Sequence, residues 1–301
     1  MNSIVIHDVG MRDGLQMESA IVPFEKKVEW IKLLIESGTD IIQVGSFVNP
    51  QKMPQMKDTD ELFGYFNQKE NKPKKTLLSG LVLNEKGYER GVKCGVDLFC
   101  LGVSASETHS MKNTGMTTGD GTARIINIAK EALSAGQRVQ ASVQSAFGCG
   151  FEGAISEEKV YGIVEKYIAA GIKNISLADT AGHANPQKVE RMFGRIFEMD
   201  KTVEMACHFH NTYGMGIANC YAAMNAGVKY FETAFGGLGG CPFTKQPSGN
   251  VSTEDFVHML QNMNLRNDID LEKMIVLSKS AEEFLGKKLP GYVYKAGMIK
   301  K

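Results

Sequence analysis

The sequence predicts an α/β chain folded as a (β/α)8 barrel with a C-terminal helical extension, and three observations point to it. Eight short β-branched or apolar runs recur along the 301 residues, stretches of helical period lie between them, and no long Pro- or Ser-rich linker interrupts the alternation. The runs are "IVIHDV" (4–9), "DIIQVGSF" (40–47), "TLLSGLVL" (76–83), "DLFCLGVS" (97–104), "RVQASVQSA" (138–146), "NISLAD" (174–179), "EMACHFHN" (204–211) and "YFETAFGG" (230–237). The clearest helices are "PFEKKVEWIKLLIESG" (23–38), "TARIINIAKEALSAG" (122–136), "SEEKVYGIVEKYIAAG" (156–171) and "NPQKVERMFGRIFEM" (185–199). Several end in Gly just before the next strand, as a helix C-terminus favours. A doubly wound open sheet is the structural alternative; the count of eight and the lack of a GxGxxG at the first helix favour the barrel. One domain is expected over 1–301, with the barrel on about 1–265 and a helix and basic tail on about 266–301.

Composition narrows the partners. Lys plus Arg and Asp plus Glu both total 34, so formal charge is zero, and no basic arm or stripe suits a nucleic-acid backbone. The start, "MNSIVIHDVG", lacks a secretory signal, and no apolar run approaches the roughly 20 residues of a membrane span. A cytoplasmic protein acting on a small molecule, with no nucleic acid and no membrane, is expected. The six cysteines form no CxxC pair and sit mostly in apolar segments, which suits reduced thiols.

The stretch "HFHN" (208–211) carries the chemistry. Alternate residues of a strand share a face, so His208 and His210 can meet one ion while Phe209 points away. They fall at the C-terminal end of the seventh strand, where barrels of this type build their active sites. An isolated HxH serves a pair of hydrogen-bonded structural histidines equally well, so further ligands must decide. The first strand runs into "DVGMRDGLQ" (8–16), which places Arg12 and Asp13 at the same end; Asp-Gly alone is also a common turn. The last loop adds "GGLGGCPFTKQPSGN" (236–250), a glycine-rich run with the thiol of Cys241 and the amide of Asn250. It reads as a lid or as a mobile surface loop.

Six segments together resemble the hydroxymethylglutaryl-CoA lyases within the DRE-TIM metallolyases: "VGMRDGLQ", "SFVNPQKMPQM" (46–56), "FGCGFEG" (147–153), "SLADTAG" (176–182), "HFHNTYGMGIAN" (208–219) and "GLGGCPFTKQPSGNVSTED" (237–255). The likeness runs from about Ile4 to about Leu265. It implies a TIM barrel, a divalent ion (Mg2+ or Mn2+) on Asp13, His208, His210 and Asn250, a catalytic arginine at Arg12 and a loop cysteine at Cys241. It also implies an acyl-CoA substrate and a homodimer formed through outer helices. One carboxylate, one amide oxygen and two imidazoles suit a six-coordinate, fairly hard cation. Structural zinc would want thiolates, and an amidohydrolase site needs later histidines where only His258 follows.

Such a site suggests carbon–carbon cleavage of a 3-hydroxyacyl thioester. Arg12 would stabilise the developing enolate, Asp13 or a water it orients would handle the hydroxyl proton, and Cys241 would protonate the enolate carbon or serve only as a lid residue. Gln16, Gln43, Ser46, Ser176 and Asp179 are candidate substrate contacts, Asn49 joins Ser46 as a candidate contact of the acyl portion, and Lys245 reads either as a partner for a CoA phosphate or as a solvated loop lysine. Asp179 serves equally as a cap for the next helix.

Three positions depart from the family pattern. Gln43 stands where a glutamate is usual, Gln140 where an arginine is usual, and Asn211 where an aspartate is usual; Gln144 and Ser145 alter the fifth strand further. Each removes a charge, and no proton relay can run through Gln43. His7 could supply acid or base in its place or be a packed core histidine. Three functions follow: cleavage of 3-hydroxy-3-methylglutaryl-CoA, related cleavage or condensation on another hydroxyacyl-CoA or hydroxy acid, or metal and ligand binding without turnover. The stretch 268–301 reads as a helix, a Pro-Gly turn and a basic tail, with no chemistry assigned.

Overall fold

Parallel strands flanked by helices are covered on both faces, and for that reason a run such as Leu98–Ser104 has no exposed position. In the computed structural model, which describes residues 4–240 and 249–299, eight such strands close into a barrel in sequential order. The order is β1 (Val5–Asp8), α1 (Phe24–Ser37), β2 (Ile41–Ser46), α2 (Thr59–Phe66), β3 (Leu77–Leu81), α3 (Glu85–Lys93), β4 (Leu98–Ser104), α4 (Glu107–Thr114), α5 (Thr118–Ser134) and β5 (Arg138–Gln144). It continues through α6 (Glu157–Ala169), β6 (Asn174–Asp179), α7 (Pro186–Met199), β7 (Glu204–Phe209), α8 (Gly216–Asn225), β8 (Tyr230–Thr233), α9 (Thr253–Asn262), α10 (Leu271–Leu285) and α11 (Val293–Ala296). Closure is made by β1 on β8, with His7 opposite Glu232.

The expected strands all appear, several of them shorter. β7 stops at Phe209 and β8 at Thr233, because the chain returns from the last loop and takes over their pairing. His210 bridges Asn250, Ala234 bridges Ser252, and Val251 N–H donates to the Phe209 carbonyl at 3.1 Å. β8 also turns early into a tight bend at Phe235–Gly237, where Gly236 has φ 64°. On β2 a register shift between Gln43 and Gly45 breaks the alternation. It lets both Gln43, which meets Arg12, and Ser46, which borders the cavity described below, serve the lumen.

The lumen is layered. At its floor Ile41, Leu98 and Cys100 pack with Val5, Leu77 and Tyr230. One layer up the strands contribute His7, Gln43, Ser79, Gln140, Ser176 and Glu232, all buried. Outside the barrel α10 lies along α1, where Trp30 Nε1 donates to Ser280 Oγ at 3.1 Å and the Trp30 ring meets Phe284 edge to face. The predicted C-terminal helix is therefore α10, and the Pro-Gly turn leads into the short α11.

A candidate metal site at the barrel rim

The chain leaves β1 through a wide π-helical turn, Gly10–Gly14, in which the Val9 carbonyl accepts the N–H groups of Arg12, Asp13 and Gly14 at 3.1, 2.7 and 3.3 Å. The turn lies against the last loop, and only glycine fits at its ends. A Cβ at Gly10 would sit 2.4 Å from the Phe235 ring, and one at Gly14 would sit 2.9 Å from Leu238 Cβ. This close seat brings Asp13 beside residues more than 190 positions away.

Asp13, His208 and His210 converge, their donor atoms all within 4.8 Å of one another. The two Nε2 atoms are 3.1 Å apart, and each lies 3.9 Å from Asp13 Oδ2. Asn250 donates through Nδ2 to Asp13 Oδ2 at 2.9 Å and to the Leu238 carbonyl at 2.9 Å, while its buried Oδ1 has no partner among the described residues. A carboxylate oxygen and two imidazole nitrogens at one point, with the amide of Asn250 beside the carboxylate and its oxygen unpartnered among the described residues, make up the donor types of a divalent-cation site. The residues fit such an ion.

The charges around it are compensated in pairs. Burial pushes the Asp13 carboxyl up, but the Arg12 guanidinium and both imidazoles outweigh that and hold it well below the usual carboxylate range. Arg12 pairs with Asp13 Oδ1 and gives its Nε–H to Gln43 Oε1. His208 Nδ1 meets Glu232 Oε2 at 3.0 Å; a carboxylate there is an acceptor, which leaves His208 Nε2 as the ligand atom. Burial lowers the His208 pKa, and the Glu232 bond and Asp13 more than reverse that. Glu232 in turn is pushed up by burial and brought down further by His208. His210 is lowered to about 4 by burial and by His208, so it is neutral and able to coordinate at neutral pH.

The site opens into a cavity of about 500 Å³ bordered by Arg12, Asp13, His208, His210 and Glu232 on one side and by Gln16, Ser46 and Asn49 on another. Three expected substrate contacts lie outside its lining. Gln43 is buried beneath it, bonded to Arg12. Ser176 is fully buried in the layer below. Asp179 is committed to a turn: its oxygens accept the N–H groups of His183 at 2.8 Å and Ala184 at 3.1 Å, just ahead of α7, and burial raises its pKa to about 7. Cys241 and Lys245 lie outside the described residues.

His7 is a packed, hydrogen-bonded histidine, its Nε2 2.8 Å from Ser79 Oγ, and burial lowers it to about 4. Gln140 accepts from Cys100 Sγ at 3.6 Å, and its Nε2 has no partner among the described residues. Asn211 Oδ1 takes the Gly216 N–H at 2.9 Å at the start of α8. Sequence reasoning missed Glu232. Its only signal was a carboxylate inside a strand, and the register that sets it beside His208 is not written in spacing.

A closed parallel barrel with a carboxylate, two imidazoles and an arginine gathered at its C-terminal rim defines a TIM-barrel enzyme with a candidate metal centre. The HMGL-like family model matches residues 3–280, and the chain belongs to that family, a hydroxymethylglutaryl-CoA lyase-like group of carbon–carbon lyases within the DRE-TIM metallolyases. It is 34% identical to the hydroxymethylglutaryl-CoA lyase YngG of Bacillus subtilis, over 95% of both chains. It is likewise 34% identical to the (R)-citramalyl-CoA lyase of Chloroflexus aurantiacus, over 99% of this chain and 96% of that one. Among solved structures, an HMG-CoA lyase from Acinetobacter baumannii in complex with coenzyme A and 3-methylmalate superposes with a TM-score of 0.91 at 38% identity, covering 99% of this chain and 96% of the other. No helix among the described residues is long and apolar enough to cross a membrane.

Proposed function

We propose that this chain, as one lyase domain over 1–301, cleaves a 3-hydroxyacyl-CoA between the carbon next to the thioester and the carbinol carbon. The best-fitting substrate is 3-hydroxy-3-methylglutaryl-CoA, giving acetyl-CoA and acetoacetate. The observation that carries this reading is the meeting of Asp13, His208 and His210 beside Arg12 in the lining of the cavity, with the amide of Asn250 bonded to Asp13. A divalent ion, Mg2+ or Mn2+, bound by those four residues supplies Lewis acidity toward the substrate hydroxyl and its neighbouring carboxylate.

The chain's own groups then divide the work. Arg12 is fixed through Nε to Gln43 and through Nη1 to Asp13, which leaves its remaining N–H groups available to the thioester oxygen, where charge collects as the C–C bond breaks. Asp13 is held too far below neutrality to keep a proton, which suits it to ligation and to orienting a water that relays the hydroxyl proton out to solvent. Cys241 delivers the proton to the enolate carbon. Gln16, Ser46 and Asn49 contact the acyl portion, while Gln43 acts through Arg12, and Ser176 and Asp179 shape the site from below and beside it. We further propose a cytoplasmic homodimer.

A second reading has a specific observation behind it. Gln43 and Gln140 are neutral amides beneath the cavity, and a relative of equal similarity is a citramalyl-CoA lyase. That supports a different hydroxyacyl-CoA, cleaved or formed by condensation. The test is acetyl-CoA release from 3-hydroxy-3-methylglutaryl-CoA with Mn2+ or Mg2+, run beside citramalyl-CoA and a Gln43→Glu variant. Turnover of the first substrate by the parent supports the main reading. Turnover of citramalyl-CoA alone supports the second, and a metal-binding parent that turns over neither is a binding barrel.

A further inference from the structure

The turn that carries Arg12 and Asp13 and the segment that carries Asn250 come from opposite ends of the sequence, yet a shared cation needs them at one fixed separation. We propose that Asp8 is the positioning residue that joins them, an inference that rests on the metal-dependent reading above. Asp8 is the last residue of β1, fully buried, and borders neither the cavity nor the ligand atoms. Its Oδ1 accepts the N–H of Gly10, the first residue of the turn, at 2.8 Å. Its Oδ2 accepts the N–H of Phe235 at 2.9 Å and the hydroxyl of Thr253 at 2.6 Å.

Those partners bracket the ligand segment. Phe235 precedes Leu238, whose carbonyl holds the Asn250 amide, and Thr253 follows Asn250 by three residues at the start of α9. One carboxylate therefore ties the first active-site turn to both ends of the stretch that presents Asn250. Packing says the same: a Cβ on Gly10 would meet the Phe235 ring at 2.4 Å and Asp8 Oδ1 at 2.9 Å, so turn and loop are seated on each other through this residue.

The role needs a carboxylate. Both oxygens of Asp8 accept, whereas an asparagine has one accepting oxygen and an NH2 that would face the N–H of Gly10 or of Phe235, donor against donor. Only one of the two segments could stay held. Glu254 provides an internal contrast, because it is also a buried carboxylate and takes the next amide, Gly236 N–H, at 3.0 and 3.1 Å. Among the described residues, no hydrogen bond from Glu254 reaches the Gly10–Gly14 turn.

The experiment is a Mn2+ titration of the full chain without substrate, followed by electron paramagnetic resonance, together with amide hydrogen exchange of the metal-free protein. Asp8→Asn should weaken Mn2+ binding about tenfold, the low end for loss of a group that orients ligands, and should speed exchange in both 10–14 and 235–240. Glu254→Gln should speed exchange in 235–240 and leave 10–14 at the parental rate. Parental Mn2+ affinity in a folded Asp8→Asn protein overturns the proposal, as does unchanged exchange in 10–14. If Asp8→Asn does not fold, Thr253→Val, which keeps the carboxylate and removes one of its donors, decides: weaker Mn2+ binding with faster exchange at 10–14 supports the link, and parental values end it. A parent that binds no Mn2+ defeats the metal reading instead, and the metal-free exchange rates alone then decide the role of Asp8.

Discussion

The wall of the lumen formed by β7, β8 and β1 and the wall formed by β3 to β6 share one fold and differ in chemistry. On the first, Asp13 pairs with Arg12 and Glu232 with His208, and the imidazole of His210 closes the group. On the second, the strands offer Ser79, Gln140, Ser142, Gln144 and Ser176, hydroxyls and amides without charge. Buried charges persist only as a matched set, because removing one partner leaves the other desolvated and unpaired. Neutral polar groups can be exchanged with far smaller consequence. The charged wall is thus set for a cation and for one transition state, and the neutral wall is free to vary with the substrate.

The largest break in that contrast comes from the charged wall. His210→Ala removes a proposed ligand and leaves the bond from His208 Nδ1 to Glu232 in place; it should abolish measurable Mn2+ binding and lower kcat by at least about a thousandfold, since several kcal/mol of charge stabilisation go with the ion. Steady-state kinetics beside a metal titration checks this, and retention of both would remove the site from consideration. Arg12→Lys comes next. It keeps the charge and loses the planar fork that reaches Gln43 and Asp13 together, so kcat should fall about a hundredfold while the Mn2+ dissociation constant moves less than tenfold. Equal losses in both quantities would make Arg12 a structural support for Asp13.

The same contrast explains what the sequence made legible. The barrel was readable because both-sided burial turns each strand into a short apolar run, and helical period separates them. His208 and His210 were readable because a spacing of two on a strand is geometry. Asp13 gained meaning only beside them. Glu232 was not readable, since its partner is set by the register that places it opposite His208. Asp8 was passed over for the same reason: its partners lie 227 and 245 residues away. The early ends of β7 and β8 depend on a returning segment that no local pattern announces. Asp179 showed the opposite difficulty, a strand-end carboxylate whose competing roles only its backbone partners separate.

The smallest effect tests the meeting line of the two walls, where His7 of β1 bonds Ser79 of β3. His7 is buried, and its pKa is lowered from the usual 6.5 to about 4, with burial the main cause. The unfolded chain therefore binds a proton at this position below about pH 6.5 that the folded chain refuses until about pH 4. Across that window the unfolded state holds more protons, so the contribution of His7 to stability is present above pH 6.5 and is lost as pH falls toward 4. Asp8 and Glu254 work in the other direction, since burial raises them to about 6 and about 7, and the folded state takes up their protons first. The net pH profile of the parent mixes these opposed slopes, and a difference between two proteins isolates one of them. His7→Gln keeps a hydrogen-bonding side chain for Ser79 and removes the titrating ring. In urea unfolding of the metal-free chain, the parent should lose stability relative to His7→Gln steadily from pH 6.5 down to pH 4, and the two curves should run parallel above pH 7. Parallel curves throughout would mean that His7 keeps an ordinary proton affinity, which requires water or a charge beside it in the layer above the lumen floor and would erase the boundary between the two walls at that point.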